Sequence, residues 1–201
     1  MKKVWSLIIV MLCLIVSVPV MAAEKTEEPK ELGFWFEAQV AGGNRPARLI
    51  GSFEKEIVGP LGFYVVAVQE SNGYREAYFG PTLKPFEWLT VGVGIGKEHI
   101  PEADGEESLD STRYNAFFSV EYEKIALYGS FENGDGGPWH ELRAIYNLTE
   151  KFGIGVMDES FRGTGPRIEY NTGHGVQLWG ALLHNRDTGE NVPVLAVNFS
   201  F

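Results

Sequence analysis

The sequence predicts an all-β protein, a closed antiparallel transmembrane β-barrel of about twelve strands, with ten or eight as the alternative counts. Three observations carry this. Residues 192–201 read V-P-V-L-A-V-N-F-S-F, so Pro193, Leu195, Val197, Phe199 and Phe201 share one face, and Val194, Ala196, Asn198 and Ser200 the other. The same period of two recurs in most segments, and none shows helical spacing. Charged residues keep to the parity opposite the apolar one. A secreted soluble β-sandwich also alternates, but an apolar parity this consistent is too greasy for water. Strands carrying it pair all the way round only as a closed wall in lipid.

Turn signals divide the chain into segments 33–41, 47–57, 61–71, 74–82, 88–97, 112–122, 124–132, 139–147, 152–160, 166–171, 176–184 and 192–201, each of barrel-strand length. The first presents Phe34, Phe36, Ala38 and Val40 outward, the second Leu49 and Phe53, and the fourth Ala77 and Phe79. Leu89, Val91, Val93 and Ile95 do so in the fifth, and Tyr114, Ala116, Phe118, Val120 and Tyr122 in the sixth. The seventh uses Ile125, Leu127 and Phe131, and the ninth Phe152, Ile154 and Val156. Segments around Leu61 to Val68 and Leu182 to Leu183 are apolar on both faces, so parity leaves their register open. Short connections at 58–60, 83–87, 123–124, 148–151 and 172–175 alternate with others that include longer, acidic or Gly-rich stretches at 100–111, 133–137 and 185–191. Turns on one side of a membrane and loops on the other is the barrel asymmetry. Lys55, Lys84, Lys124, Lys151 and His174 lie in or beside the short turns, within reach of lipid head groups, although turns are polar in any fold. Phe86, Trp88, Tyr122, Tyr146, Tyr170 and Phe201 gather toward the same ends, as an interfacial aromatic girdle would.

Lys2 and Lys3, an apolar run from Val4 to Val18 and the break from Pro19 to Ala23 read as a secretory signal over 1–23. A polar segment, 24–31, and the barrel, 32–201, follow. Cys13 does not read as a lipidation site, because Leu12 precedes it where a small residue is expected. Cleavage would leave a chain without cysteine, hence without disulfides or thiolate metal sites, and no cofactor is expected. It would also move the formal charge from −10 to about −12, which argues against nucleic acid as a partner. An exported chain whose last strand ends on Phe201 resembles the bacterial outer-membrane β-barrel superfamily. That resemblance implies the bacterial outer membrane as location. It also implies lipopolysaccharide and other outer-membrane lipids as surroundings, the barrel-assembly machinery as a partner that reads the final strand, and a monomeric, porin-like architecture.

The inward parity carries Glu37, Arg48, Glu54, Glu56, Glu76, Arg113, Glu121, Glu141, Arg143, Glu159, Arg167 and Glu169. A basic side chain facing lipid at the midplane costs roughly 2–4 kcal/mol, so these residues are expected to line a lumen. Two readings of it follow. A narrow passage would admit small polar or cationic solutes by passive diffusion, with Gly92, Gly94 and Gly96 leaving space along one wall. Alternatively Arg48, Arg113, Arg143 and Arg167 cross-link the glutamates into a plug, and the barrel is structural or works through its loops. The free space at Glu54, Arg113 and Arg143 separates them. Glu102, Asp104, Glu106, Glu107 and Asp110 match no calcium-loop spacing and read as a solvated loop.

A third reading is a lipid-modifying acyl hydrolase or acyltransferase. The His-x-Ser arrangement of barrel phospholipases and lipid A deacylases is absent at His99, His140, His174 and His184. A hairpin centred on 148–151 would nevertheless bring His140 near Ser160, with Asp158 on the same face. These are the base, hydroxyl and carboxylate that acyl transfer needs. Ser, His and Asp are also ordinary rim residues, and the sequence by itself assigns no catalytic role.

Overall fold

A computed structural model describes residues 32–102 and 107–201; the expected signal, the polar segment 24–31 and the loop residues Asp104 and Glu106 lie outside the described residues. The strands are β1 (Leu32–Ala41), β2 (Arg48–Val58), β3 (Leu61–Glu70), β4 (Arg75–Phe86), β5 (Leu89–Ile100), β6 (Leu109–Tyr122), β7 (Ile125–Asn133), β8 (Trp139–Asn147), β9 (Phe152–Glu159), β10 (Gly163–Asn171), β11 (Val176–His184) and β12 (Asn191–Ser200). Each pairs antiparallel with its sequence neighbours, and β1 pairs with β12, closing a twelve-strand barrel. The predicted class and strand count are what is found.

Closure rests on pairs such as Glu37↔Asn198 and Val40↔Leu195. Beyond the ladder, Phe201 N–H donates to the Phe34 carbonyl at 3.0 Å and Phe34 N–H to the Phe201 carbonyl at 3.3 Å. A wall without edges keeps its backbone polar groups paired internally, which hydrocarbon demands. β1 begins and β12 finishes at one end, called here the turn end, where the connections 59–60, 87–88, 123–124, 148–151 and 172–175 are short. At the opposite, loop end the longest connection is 101–108.

Side-chain polarity is inverted relative to a soluble protein. Phe34, Val40, Phe79, Ile95, Val156, Ile168 and Leu195 are exposed on the outside, whereas Glu37, Glu98, Arg113, Glu159 and Arg167 are buried inside. Around the turn end the expected girdle is present: Phe86 stacks on Trp88 at 5.1 Å, Trp88 meets Tyr122 edge-on at 6.3 Å, and Phe152 lies 5.1 Å from Tyr170. The two open registers resolve by pairing. Tyr64 opposite Glu54 and Gly80 turns inward with Val68, and Leu182 faces out while Leu183 is completely buried.

Several strand limits differ from expectation, for local reasons. β4 runs on past Thr82 to Phe86, and its pairing with β5 shifts between Leu83 and Phe86; Pro85 has no N–H to give the ladder, so the strand continues through an irregularity. β10 starts at Gly163 instead of 166, pairing Gly163↔Glu159 on its β9 side. On the β11 side no pair is formed between Thr164↔His184 and Arg167↔Ala181, across Pro166. β5 and β6 also extend upward, which shortens the acidic loop from the expected 100–111.

The interior divides in two. Under β9 to β12, Met157, Trp179, Leu183, Val192 and Val194 form a buried apolar cluster with Ala41, Ala181 and Ala196 packed against it. The inner face of β2 to β8 carries most of the carboxylates and guanidiniums.

Candidate functional site

A cavity of about 490 Å³ runs beside the apolar cluster. Its lining comes from β1 to β8 with Tyr74, Gly136, Gly137 and Phe161 at the loop end, and no residue of β9 to β12 takes part. Glu54 and Ser119, near the turn end, also line it, so it extends along most of the barrel axis. Seven glutamates (37, 54, 70, 76, 98, 132 and 141) face three arginines (48, 113 and 143) across this space.

Each arginine is held in its own network. Arg48, the first residue of β2, reaches Glu70 at 2.8 Å and Glu159 at 3.0 Å, and lies 5.6 Å over the Trp139 ring. Arg113, toward the loop end of β6, contacts Glu76 at 3.1 Å, Glu98 at 2.9 Å and Glu132 at 3.1 Å. Three buried carboxylates around one guanidinium leave that cluster with a formal excess of negative charge, and Tyr74 and Tyr78 donate hydroxyl hydrogen bonds into it. Arg143 lies 4.2 Å over the Tyr128 ring, with its Nε 3.0 Å from Glu141 but not aligned for a hydrogen bond.

The 133–137 connection folds down onto the Arg113 cluster. Gly136 N–H donates to Glu98 at 3.1 Å, and Arg113 donates to the Gly137 carbonyl at 3.1 Å. A Cβ on Gly134 would sit 2.2 Å from Glu98 Oε1, so only glycine lets the backbone come this close. The loop therefore narrows the cavity at its loop end.

Of the residues expected to line the lumen, Glu37, Arg48, Glu54, Glu76, Arg113, Glu141 and Arg143 do line this cavity. Glu56 and Glu121 stand exposed near the turn end. Glu159, Arg167 and Glu169 belong to the filled side. There Arg167 is sandwiched 3.7 Å over Trp179 and bonded to Glu169 at 2.7 Å, while Trp179 N–H donates to Glu37 at 2.7 Å. The inward glycines do not leave open space, as expected from their size alone. The Phe117 and Tyr64 rings come within 2.2 and 2.4 Å of the Cβ positions of Gly92 and Gly94, and the Ala77 carbonyl of β4 within 1.9 Å of that of Gly96, so two of these glycines accommodate neighbouring rings and the third a close approach of the adjacent backbone. Glu70 and Arg162 were not among the expected residues. Glu70 ends β3, the strand whose register was open, and Arg162 lies beyond the period-two signal in the 160–162 turn, from which it reaches Glu159 at 2.9 Å and Gln39 at 2.7 Å.

On the outer surface the loop-end rim gathers the three residues of the third reading. His140 Nε2 is 2.7 Å from Asp158, and Ser160 Oγ is 2.9 Å from His140 Nδ1.

A closed twelve-strand wall, apolar outside and charged around an internal cavity, defines a porin-like transmembrane β-barrel. Among solved structures it is similar to the KdgM porin in complex with disordered oligogalacturonate (TM-score 0.52, 7% identity, covering 84% of this chain and 99% of that one). It is likewise similar to the NanC porin (TM-score 0.52, 7% identity, covering 84% and 98%). At such identities the likeness is one of fold. No protein-family model and no curated protein matches the sequence.

Proposed function

We propose that this chain is a bacterial outer-membrane channel through which small polar or cationic solutes diffuse passively. The observation that carries the reading is the axial cavity touching Glu54, Arg113 and Arg143 together, the three positions where a plug would leave no space. Its excess of glutamate over arginine favours cations, because charges lining a narrow low-dielectric passage act on a permeating ion with little screening. The oligogalacturonate of the KdgM structure is an acidic sugar chain; in this lumen it would meet seven carboxylates, so the solute class proposed here is different. The signal over 1–23, insertion through the barrel-assembly machinery, a monomeric state and lipopolysaccharide as a neighbour belong to the same reading.

The alternative, a charge-plugged structural barrel, draws on the filled side beneath β9 to β12. Purified protein in planar bilayers decides between them. The channel gives discrete conductance steps with a reversal potential displaced toward the cation under a salt gradient, and a silent bilayer at high protein load selects the plug.

A further inference from the structure

The rim constellation has more order than chance side-chain proximity requires. β8 and β9 pair Leu142↔Asp158, and just above this pair Ser160 N–H donates to the His140 carbonyl at 2.9 Å while His140 N–H donates to Ser160 Oγ at 2.8 Å. His140 lies opposite exposed Phe131, so the group looks outward, away from the lumen. With Asp158 ionised, the imidazole proton sits on Nε2 facing the carboxylate, and Nδ1 is left to accept from the Ser160 hydroxyl. Thr164 donates to the other Asp158 oxygen, fixing the carboxylate plane. A nucleophile within reach of a base that is itself oriented by an anchored carboxylate is the geometry of acyl transfer.

A second feature stands beside it. Phe161, the residue after Ser160, has φ +67°, a conformation costly for an aromatic residue. It is clamped there through its carbonyl, which accepts from Asn185 at 2.7 Å and from Arg45 at 3.2 Å. The N–H groups on either side, of Ser160 and Arg162, are bonded, whereas the Phe161 N–H has no partner among the described residues. A free backbone N–H immediately after the nucleophile is where an oxyanion is stabilised in hydrolases.

We propose that Ser160, His140 and Asp158 form an esterase centre on the lipid-facing rim, acting on carboxylic esters of acyl lipids in the adjoining leaflet. Ser160 Oγ attacks the ester carbonyl carbon as its proton passes to His140 Nδ1, and the resulting oxyanion takes a hydrogen bond from Phe161 N–H. Collapse breaks the bond to the leaving alkoxide, which receives the proton from His140 and departs as a lysolipid alcohol. Water then attacks the acyl-Ser160 ester, giving its proton to His140 and releasing the fatty acid as Ser160 is reprotonated. Lipid is the substrate because the approach is flanked by exposed Phe131 and Leu142, which share the outward face with His140 and Asp158. With one backbone donor in place, turnover is slow.

The test uses the full chain, refolded in detergent, with its barrel state read from migration on unheated gels. A fluorophosphonate probe is expected to label Ser160. S160A should abolish labelling, D158N should reduce it at least 100-fold, and both should keep the folded migration. In mixed micelles of phosphatidylethanolamine the wild type, but not S160A, should release fatty acid. Folded wild type that neither labels nor releases fatty acid, or labelling and release that persist in folded S160A, overturns the proposal. Should S160A fail to fold, the labelling site in wild type, mapped by mass spectrometry, decides by itself.

Discussion

Behind β9 to β12 the barrel is packed like the core of a soluble domain over the part nearer the loop end, with a smaller polar hollow at the turn end, and behind β2 to β8 it is wet and charged, although the outer surface is apolar over both. The lipid-facing residues are therefore not what distinguishes the two halves. On the packed side the inward positions are Met157, Trp179, Leu183, Val192 and Val194, which exclude water; the ionised Arg167 survives there only by stacking on Trp179 and pairing with Glu169. On the wet side almost every row holds a glutamate, and one arginine serves up to three of them, so the residual charge keeps water in place. One wall thus builds a packed wedge and a charged cavity by changing only what points inward.

The largest expected effect falls where the wet side depends on one residue. Arg113→Ala leaves Glu76, Glu98 and Glu132 buried without their shared cation and removes the tether to Gly137. Loss of one partner from such a cluster costs about 3–5 kcal/mol, measurable as urea-induced unfolding from lipid vesicles. The released 133–137 connection should also raise single-channel conductance; a variant that unfolds more easily but conducts as before would show that the loop does not narrow the passage.

On the packed side, Leu183→Ala opens a void in a cluster that has no water to fill it. The expected loss is about 2–5 kcal/mol, with conductance unchanged, because Leu183 does not border the cavity. A conductance increase would show that the two halves share space, and the contrast drawn between them would fail.

How far this division was legible in the sequence depends on the strand. Where one parity was charged, as in β6 with Arg113 and Asn115 or β8 with Glu141 and Arg143, alternation gave the inward set directly, because a charge in lipid is too costly to be placed otherwise. In β3 and β11 both parities were apolar. The period then says nothing about which side faces in, and Tyr64 and Leu183 were placed only by hydrogen-bond register with their neighbours. The glycines of β5 were legible as inward but not as occupied, since what uses their space comes from other strands: the Tyr64 ring on β3, the Phe117 ring on β6 and the β4 backbone at Ala77. At the rim, alternation across the β8–β9 hairpin put His140, Asp158 and Ser160 together, while the clamp on Phe161 involves Arg45 and Asn185 from distant loops that no local pattern connects.

The smallest effect is the most specific to the wet side. Glu54 lines the cavity near the turn end and is exposed, so Glu54→Gln should alter stability by no more than about 0.5 kcal/mol. Its carboxylate still contributes to the potential met by an entering ion. Screening extends over about 10 Å at 0.1 M salt and about 3 Å at 1 M, so the charge acts across the mouth in dilute salt and barely beyond its own contact distance in concentrated salt. The reversal potential of the variant under a salt gradient should therefore shift toward zero relative to wild type near 0.1 M, and the two proteins should coincide near 1 M. Equal selectivity at both concentrations would mean that permeating ions do not pass Glu54, and that cation preference is set wholly by the Arg113 cluster above it.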